Sequence, residues 1–155
     1  MGMSAEEFFK QKVGFLSGLN DAELRLLAEA AEETSFKPGR SIIMQGMTMD
    51  GLFVVEKGKV AVWIKPKSGT ATQVATLGPG DVFGERTIVE LGVAGATIKA
   101  LEETFVYLIR QDAFVKLMED DPSRRQYIID KIAERRARLA SNPEIARPDP
   151  SKPQA

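Results

Sequence analysis

The 155-residue sequence has no cysteine and no histidine, and these two absences remove most reactive side-chain chemistry at once. There is no thiolate nucleophile and no imidazole base, and zinc, haem or iron–sulfur sites held by Cys or His are excluded. No Asp-rich loop of the calcium-binding type occurs, and no Ser, Lys or carboxylate cluster forms a catalytic arrangement, so the chain reads as a non-enzyme. Charge of one sign is also lacking. Twenty-one Lys and Arg face 22 Asp and Glu, a net charge of −1, which argues against a whole-surface affinity for nucleic acid. No apolar run approaches the ~20 residues of a membrane span, and the N-terminus has no secretory signal. A soluble, cytoplasmic protein without a membrane or DNA partner is expected.

What is present suits one globular domain over 1–141, with 43% hydrophobic residues for a core. Asn20 and Glu23 fit an amide variant of the capping box. Leu24, Leu27, Ala28 and Ala31 follow at helical spacing. From Phe36 onward short β-rich runs alternate with turns: 41–45, 52–56, 59–65, 72–77, 96–101 and 104–109. Lys57-Gly58 and Ser68-Gly69 are hairpin candidates. The expected architecture is mainly β, an antiparallel roll over about 34–110 with N-terminal helices, a short helix over 85–91 and C-terminal helices over about 111–141. Asp121-Pro122 opens the last of these as N-cap and first helical residue. That helix carries Ile128, Ile129, Ile132, Ala133, Leu139 and Ala140 as an apolar stripe. Arg124, Arg125, Lys131, Arg135, Arg136 and Arg138 read as a solvated basic face, since no aromatic residues interleave for base stacking. Residues 142–155, with Pro143, Pro148, Pro150 and Pro153, read as a disordered tail.

The chemistry concentrates between Gly80 and Ala100. Pro79, Gly80 and Gly84 permit a close approach of backbone to ligand. A helix starting at Glu85 would aim first-turn N–H groups at an anion, and the Glu85 carboxylate is placed to accept hydrogen bonds from a sugar hydroxyl. Phe36, Pro38, Gly39, Ile42, Gly46, Asp50, Leu52, Phe53, Val54, Gly58 and Val60 lead into Pro79-Gly80-Asp81-x-Phe83-Gly84-Glu85, and Ala96-Thr97 opens the following strand. This order and spacing over roughly 16–140 resembles cyclic nucleotide-binding domains, the β-roll modules of catabolite-activator-type regulators, cyclic-nucleotide-dependent kinases and cyclic-nucleotide-gated channels.

The resemblance implies a phosphate-binding cassette in which Phe83, Gly84, Glu85, Arg86 and Thr87 form the ligand-facing turn, with Ala94, Gly95, Ala96 and Thr97 behind it. Val74 and Thr97 fall on the base side. The ligand it implies is cyclic AMP, cyclic GMP or another small anion. Ala94 stands where the family places its phosphate-binding arginine, and Gly95 where a hydroxyl residue is common. A hydrogen bond to a charged group is worth about 1.5–3 kcal/mol, so this loss alone weakens nucleotide binding by roughly 10- to 150-fold. Arg86 stands where the family has an apolar residue. Its guanidinium either folds into the pocket as a replacement cation, or faces solvent and pairs with Glu90 four residues along.

Two functional readings follow. One is a sensor with weakened or altered ligand binding that signals through its C-terminal helix to a protein partner, the ligand favouring the lid-closed arrangement. The other is a degenerate domain kept as a protein-interaction module without nucleotide. The C-terminal stripe suits either packing on its own roll or a homodimer interface. Direct DNA reading is not expected, because only a short Pro-rich stretch follows Ala140 in this sequence.

Overall fold

In a computed structural model, the described residues are 3–89 and 92–140, with the side chains of 136 and 138–140 outside the description. The chain opens with helix α1 (Ala5–Lys12), started by Ser4, whose hydroxyl accepts the Glu7 N–H at 3.2 Å. A 3-10 turn at Gly14–Leu16 leads to α2 (Asp21–Ala30). The expected capping box is present: the Asn20 side chain accepts from Glu23 N, and Glu23 accepts from Asn20 N.

The strands are β1 (Glu32–Phe36), β2 (Ser41–Ile43), β3 (Thr48–Met49), β4 (Gly51–Lys57), β5 (Val60–Ile64), β6 (Thr72–Leu77), β7 (Val82–Phe83), β8 (Gly92–Val93), β9 (Thr97–Ala100) and β10 (Thr104–Arg110). They form an antiparallel roll of two four-stranded sheets, ordered β1-β10-β4-β7 and β2-β9-β5-β6, with a β3–β8 ribbon at one end. Helices α3 (Gln111–Asp120) and α4 (Pro122–Ala140) close the chain. Asp121 opens α4 by accepting the Ser123 N–H at 3.0 Å, and the bond from the Ser123 hydroxyl, followed by this backbone bond, holds its carboxyl below the usual range.

Three local expectations need correction. Lys57-Gly58 is not a hairpin, because β4 pairs with β10 and β7 while β5 pairs with β6 and β9. Gly58 instead takes the chain from one sheet to the other at φ 97°, where a Cβ would sit 2.5 Å from the Glu103 carbonyl oxygen. Ser68-Gly69 does lie in a hairpin loop, between paired β5 and β6. The short helix expected over 85–91 is a single 3-10 turn, Glu85–Ile88, and Leu91 lies outside the described residues. Strand structure also begins before Phe36, as β1 pairs along its whole length with β10.

β4 is buried on both faces because the roll has two apolar layers. Leu52 and Val54 face the helices, packing with Phe9, Leu16, Leu24, Phe114 and Ile128. Val55 faces the roll interior with Ile42, Phe83, Ile98 and Val106, and Phe53 packs against that layer. Alternation along one strand thus joins a helical core to a roll core.

Candidate functional site

Gly84 sets the geometry of the cassette. Its φ of 80° is left-handed, and a Cβ there would lie 2.6 Å from Met49 Cε and 2.9 Å from the Gly51 carbonyl oxygen. The turn it makes ends β7 and starts the 3-10 turn carrying Glu85, Arg86 and Thr87. Phe83, just before it, is buried and stacks on Phe53 with ring centroids 4.9 Å apart and planes within 3°. Val74 is buried.

Thr87 belongs to the scaffold of this turn. Its hydroxyl lies 2.9 Å from the Gly51 carbonyl and 2.8 Å from that of Gly84, and its N–H donates to Gly84 O at 3.1 Å. Gln111, the first residue of α3, donates from Nε2 to the Thr87 carbonyl at 2.9 Å, tying the turn to the helical layer. Arg86 is half-buried and engaged within the fold, and its sequence-proposed partner Glu90 lies outside the described residues.

On the other limb, Ala94 is buried in the roll-interior layer with Ile42, Met49 and Phe83. Its N–H donates to Met47 O and its carbonyl accepts from Gly46 N, both at 2.8 Å. Gly95 is exposed and Ala96 half-buried. Thr97 turns the other way: its hydroxyl accepts the Gln45 N–H at 3.0 Å on the outer side of the roll, beside Trp63 and Lys99.

A residue of α4 completes the site. The Arg135 Nε donates a charge-assisted hydrogen bond to Glu85 Oε2, and the two side chains are only 12% and 14% exposed. The expectation of a solvated basic face therefore fails at Arg135, and also at Arg124, whose Nε lies 2.6 Å from Glu23 Oε2 with both side chains largely covered. The sequence held the signal. Ile128, Ile132 and Arg135 are spaced by four and then three residues, so Arg135 continues the buried stripe rather than the opposite face. Ile128 and Ile132 sit in the chain's own helical core, while Ile129 is half-buried and Ala133 exposed. Tyr127 adds an anchor, its hydroxyl donating to Phe15 O at 3.1 Å and accepting from Gly18 N at 2.9 Å. α4 is thus fixed to α2 at its start, to the 3-10 turn before α2 in its middle, and to the cassette near its end.

These features define a β-roll with a Gly-Glu turn overlaid by a C-terminal helix. The family profile described as Cyclic nucleotide-binding domain matches residues 33–121, more than half of the chain, and the chain belongs to that family. A cAMP-dependent protein kinase regulatory subunit from Yarrowia lipolytica is 32% identical over 124 residues, covering 75% of this chain and 32% of the relative. The chain spans about a third of that protein's length. Among solved structures, the Thermus thermophilus Catabolite Activator Protein is 27% identical with a TM-score of 0.70, covering 82% of this chain and 59% of its own. The regulatory domain of Toxoplasma gondii PKA, co-crystallised with cAMP, is 25% identical with a TM-score of 0.73, covering 84% and 49%. Among the described residues no helix is long and apolar enough to cross a membrane, and no cluster of Asp, Glu, His or Cys has metal-binding geometry.

Proposed function

We propose that the chain is a regulatory sensor module whose ligand, a cyclic nucleotide or a related small anion, is held with altered chemistry: the positive charge comes from α4 instead of the cassette. The observation that carries this reading is the Arg135–Glu85 pair. A carboxylate accepts at about four lone-pair sites. Glu85 therefore has capacity to accept sugar hydroxyls while Arg135 stays bonded to Oε2. Neutralising Glu85 removes its repulsion of an incoming phosphate, and the guanidinium retains N–H groups for an anion beside it. Phe83 and Val74 would wall the pocket, Gly84 to Arg86 would face the phosphate with Thr87 bracing the turn beneath them, and Ala94 to Ala96 would lie behind it, Thr97 facing outward.

Ligand binding and helix position become one equilibrium under this reading. A ligand that touches Glu85 and Arg135 together binds the docked arrangement of α4 better than the undocked one, and so shifts the population toward it. Docking or release of α4 is then the output presented to a protein partner.

A second reading rests on Ala94. Its side chain lies in the roll's apolar layer and its backbone is committed to the Gly46–Met47 turn, so that position supplies no cation. This favours an interaction module that binds no nucleotide. Calorimetric titration with cyclic AMP and cyclic GMP separates the two. Binding in the micromolar range supports the sensor, and absence of heat at millimolar ligand supports the interaction module.

A further inference from the structure

Gln111 stands at the corner where β10 ends and α3 begins, and two segments distant in sequence meet on it. Its backbone N–H donates to Asp50 O at 2.6 Å, at the entrance to β4. Its side-chain amide reaches the cassette, Nε2 lying 2.9 Å from the Thr87 carbonyl oxygen and 3.5 Å from that of Ile88. The corner is tight: a Cβ on Gly51 would lie 2.6 Å from Ile109 O and 3.0 Å from Arg110 Cα.

Among the described residues, the last backbone bond of the 3-10 turn runs from Val89 N to Arg86 O at 3.3 Å, and the Thr87 and Ile88 carbonyls beyond it take their donor from α3. Both residues are buried, and a buried carbonyl needs a donor. An amide NH2 has two N–H groups to offer them. Thr87 passes the contact on. Its N–H donates to Gly84 O at 3.1 Å and its hydroxyl lies 2.8 Å from the same oxygen, so Gly84, Thr87 and Gln111 form one bonded series from the front of the cassette to α3. Arg135 holds the start of the same turn through Glu85.

We infer that Gln111 is a positioning residue that couples the cassette turn to α3: a ligand seated on Gly84 to Arg86 acts on the helical layer through the Gln111 amide as well as through Arg135. Contiguous hydrogen-bond series that join rigid elements carry energetic coupling between separated sites, and this one joins the turn, the start of β4 and the first residue of α3. The ligand in this statement rests on the sensor reading above. The positioning of the turn by Gln111 does not, because it stands on bonds formed without ligand.

The test is backbone amide hydrogen exchange on the full chain, with and without cyclic AMP. Two variants are compared: Gln111→Met, which keeps the length and removes both donors, and Gln111→Lys, which keeps a donor on an unbranched stem. Without ligand, the amides of Thr87 and Val89 should exchange about 5- to 150-fold faster in Gln111→Met, because two buried carbonyls lose their donor. The amides of Val54 and Ile109, in the fully buried parts of β4 and β10, should exchange as in the unaltered chain, and Gln111→Lys should recover most of the protection of the turn. With saturating cyclic AMP, protection should spread from the turn into α3 in the unaltered chain and in Gln111→Lys, and stop at the turn in Gln111→Met. A bond that merely stabilises would lower the thermal midpoint yet leave that spread intact in Gln111→Met, and this result would overturn the coupling. Unchanged exchange of the turn in ligand-free Gln111→Met would overturn the positioning role. If cyclic AMP alters exchange nowhere in the unaltered chain, the sensor reading fails and the coupling with it, while the ligand-free comparison still decides whether Gln111 positions the turn.

Discussion

Replacing Arg135 by Ala tests the connection between α4 and the cassette most directly. Exposed ion pairs contribute about 0–1 kcal/mol, and removing one partner of a fully buried pair costs about 3–5 kcal/mol. With 12% and 14% of its side chains exposed, the Arg135–Glu85 pair lies nearer the buried limit, and its charged hydrogen bond is worth about 1.5–3 kcal/mol. A domain of this size shifts its thermal midpoint by about 2–4 °C per kcal/mol, so Arg135→Ala should lower it by about 3–12 °C. The loss should fall on the end of α4 while Ile128 and Ile132 remain packed. A double-mutant cycle with Glu85→Ala, read by urea unfolding, isolates the pair from the packing lost with the arginine stem. A coupling energy of about 1.5–3 kcal/mol is expected. Calorimetry on the same variants should show cyclic nucleotide affinity falling about 10- to 150-fold in Arg135→Ala. A coupling below about 0.5 kcal/mol would refute the structural part of the reasoning. Tighter nucleotide binding by Arg135→Ala would refute the functional part, because Arg135 would then compete with the ligand for Glu85.

Three further outcomes are expected. Ala94→Arg should strengthen cyclic nucleotide binding by about 1.5–3 kcal/mol in calorimetry, and should cost about 1–3 kcal/mol of stability by crowding Ile42 and Met49; no gain in affinity would mean that the roll interior does not admit a ligand at that position. Gly84→Ala should destabilise by about 1–3 kcal/mol from its positive φ alone, with Met49 displaced as well, lowering the urea midpoint. Burial, followed by the neighbouring Glu33 carboxyl, raises the pKa of Glu56 from 4.5 to about 7. The folded chain holds that proton more tightly than the unfolded chain, so the contribution is full below about pH 4.5 and is lost as pH rises through about 7. The thermal midpoint should fall between about pH 5 and 8, and Glu56→Gln should flatten that slope.

The roll was legible because its determinants are local. Asn20 and Glu23 cap α2 by themselves, Asp121-Pro122 starts α4, and Gly39, Gly46, Gly80 and Gly84 mark turns that require positive φ. β-rich runs bounded by turn residues located β6 and β10 to within a residue. Lys57-Gly58 misled because a Gly turn between two β runs has the same local pattern in a hairpin as at a sheet-to-sheet corner. Only the partners of β4 and β5 distinguish them, and those partners are distant in sequence. The Glu85 turn was readable as a turn, but its length was not. The hydroxyl of Thr87 and the amide of Gln111 anchor it as one 3-10 turn.

By itself the sequence determined the family-like order of glycines, the carboxylate at Glu85, the absence of a polar side chain at Ala94, and a C-terminal helix with an apolar stripe. These follow from residue type and spacing along the chain. Tertiary structure alone decided which carboxylate the arginine on that stripe meets. Docking Ile128 and Ile132 against the helical core fixes the rotation of α4, and that rotation carries Arg135 onto Glu85, 50 residues earlier in the chain. A basic residue on a buried stripe finds its carboxylate only once the roll has folded beneath it, since no local rule couples two residues that far apart.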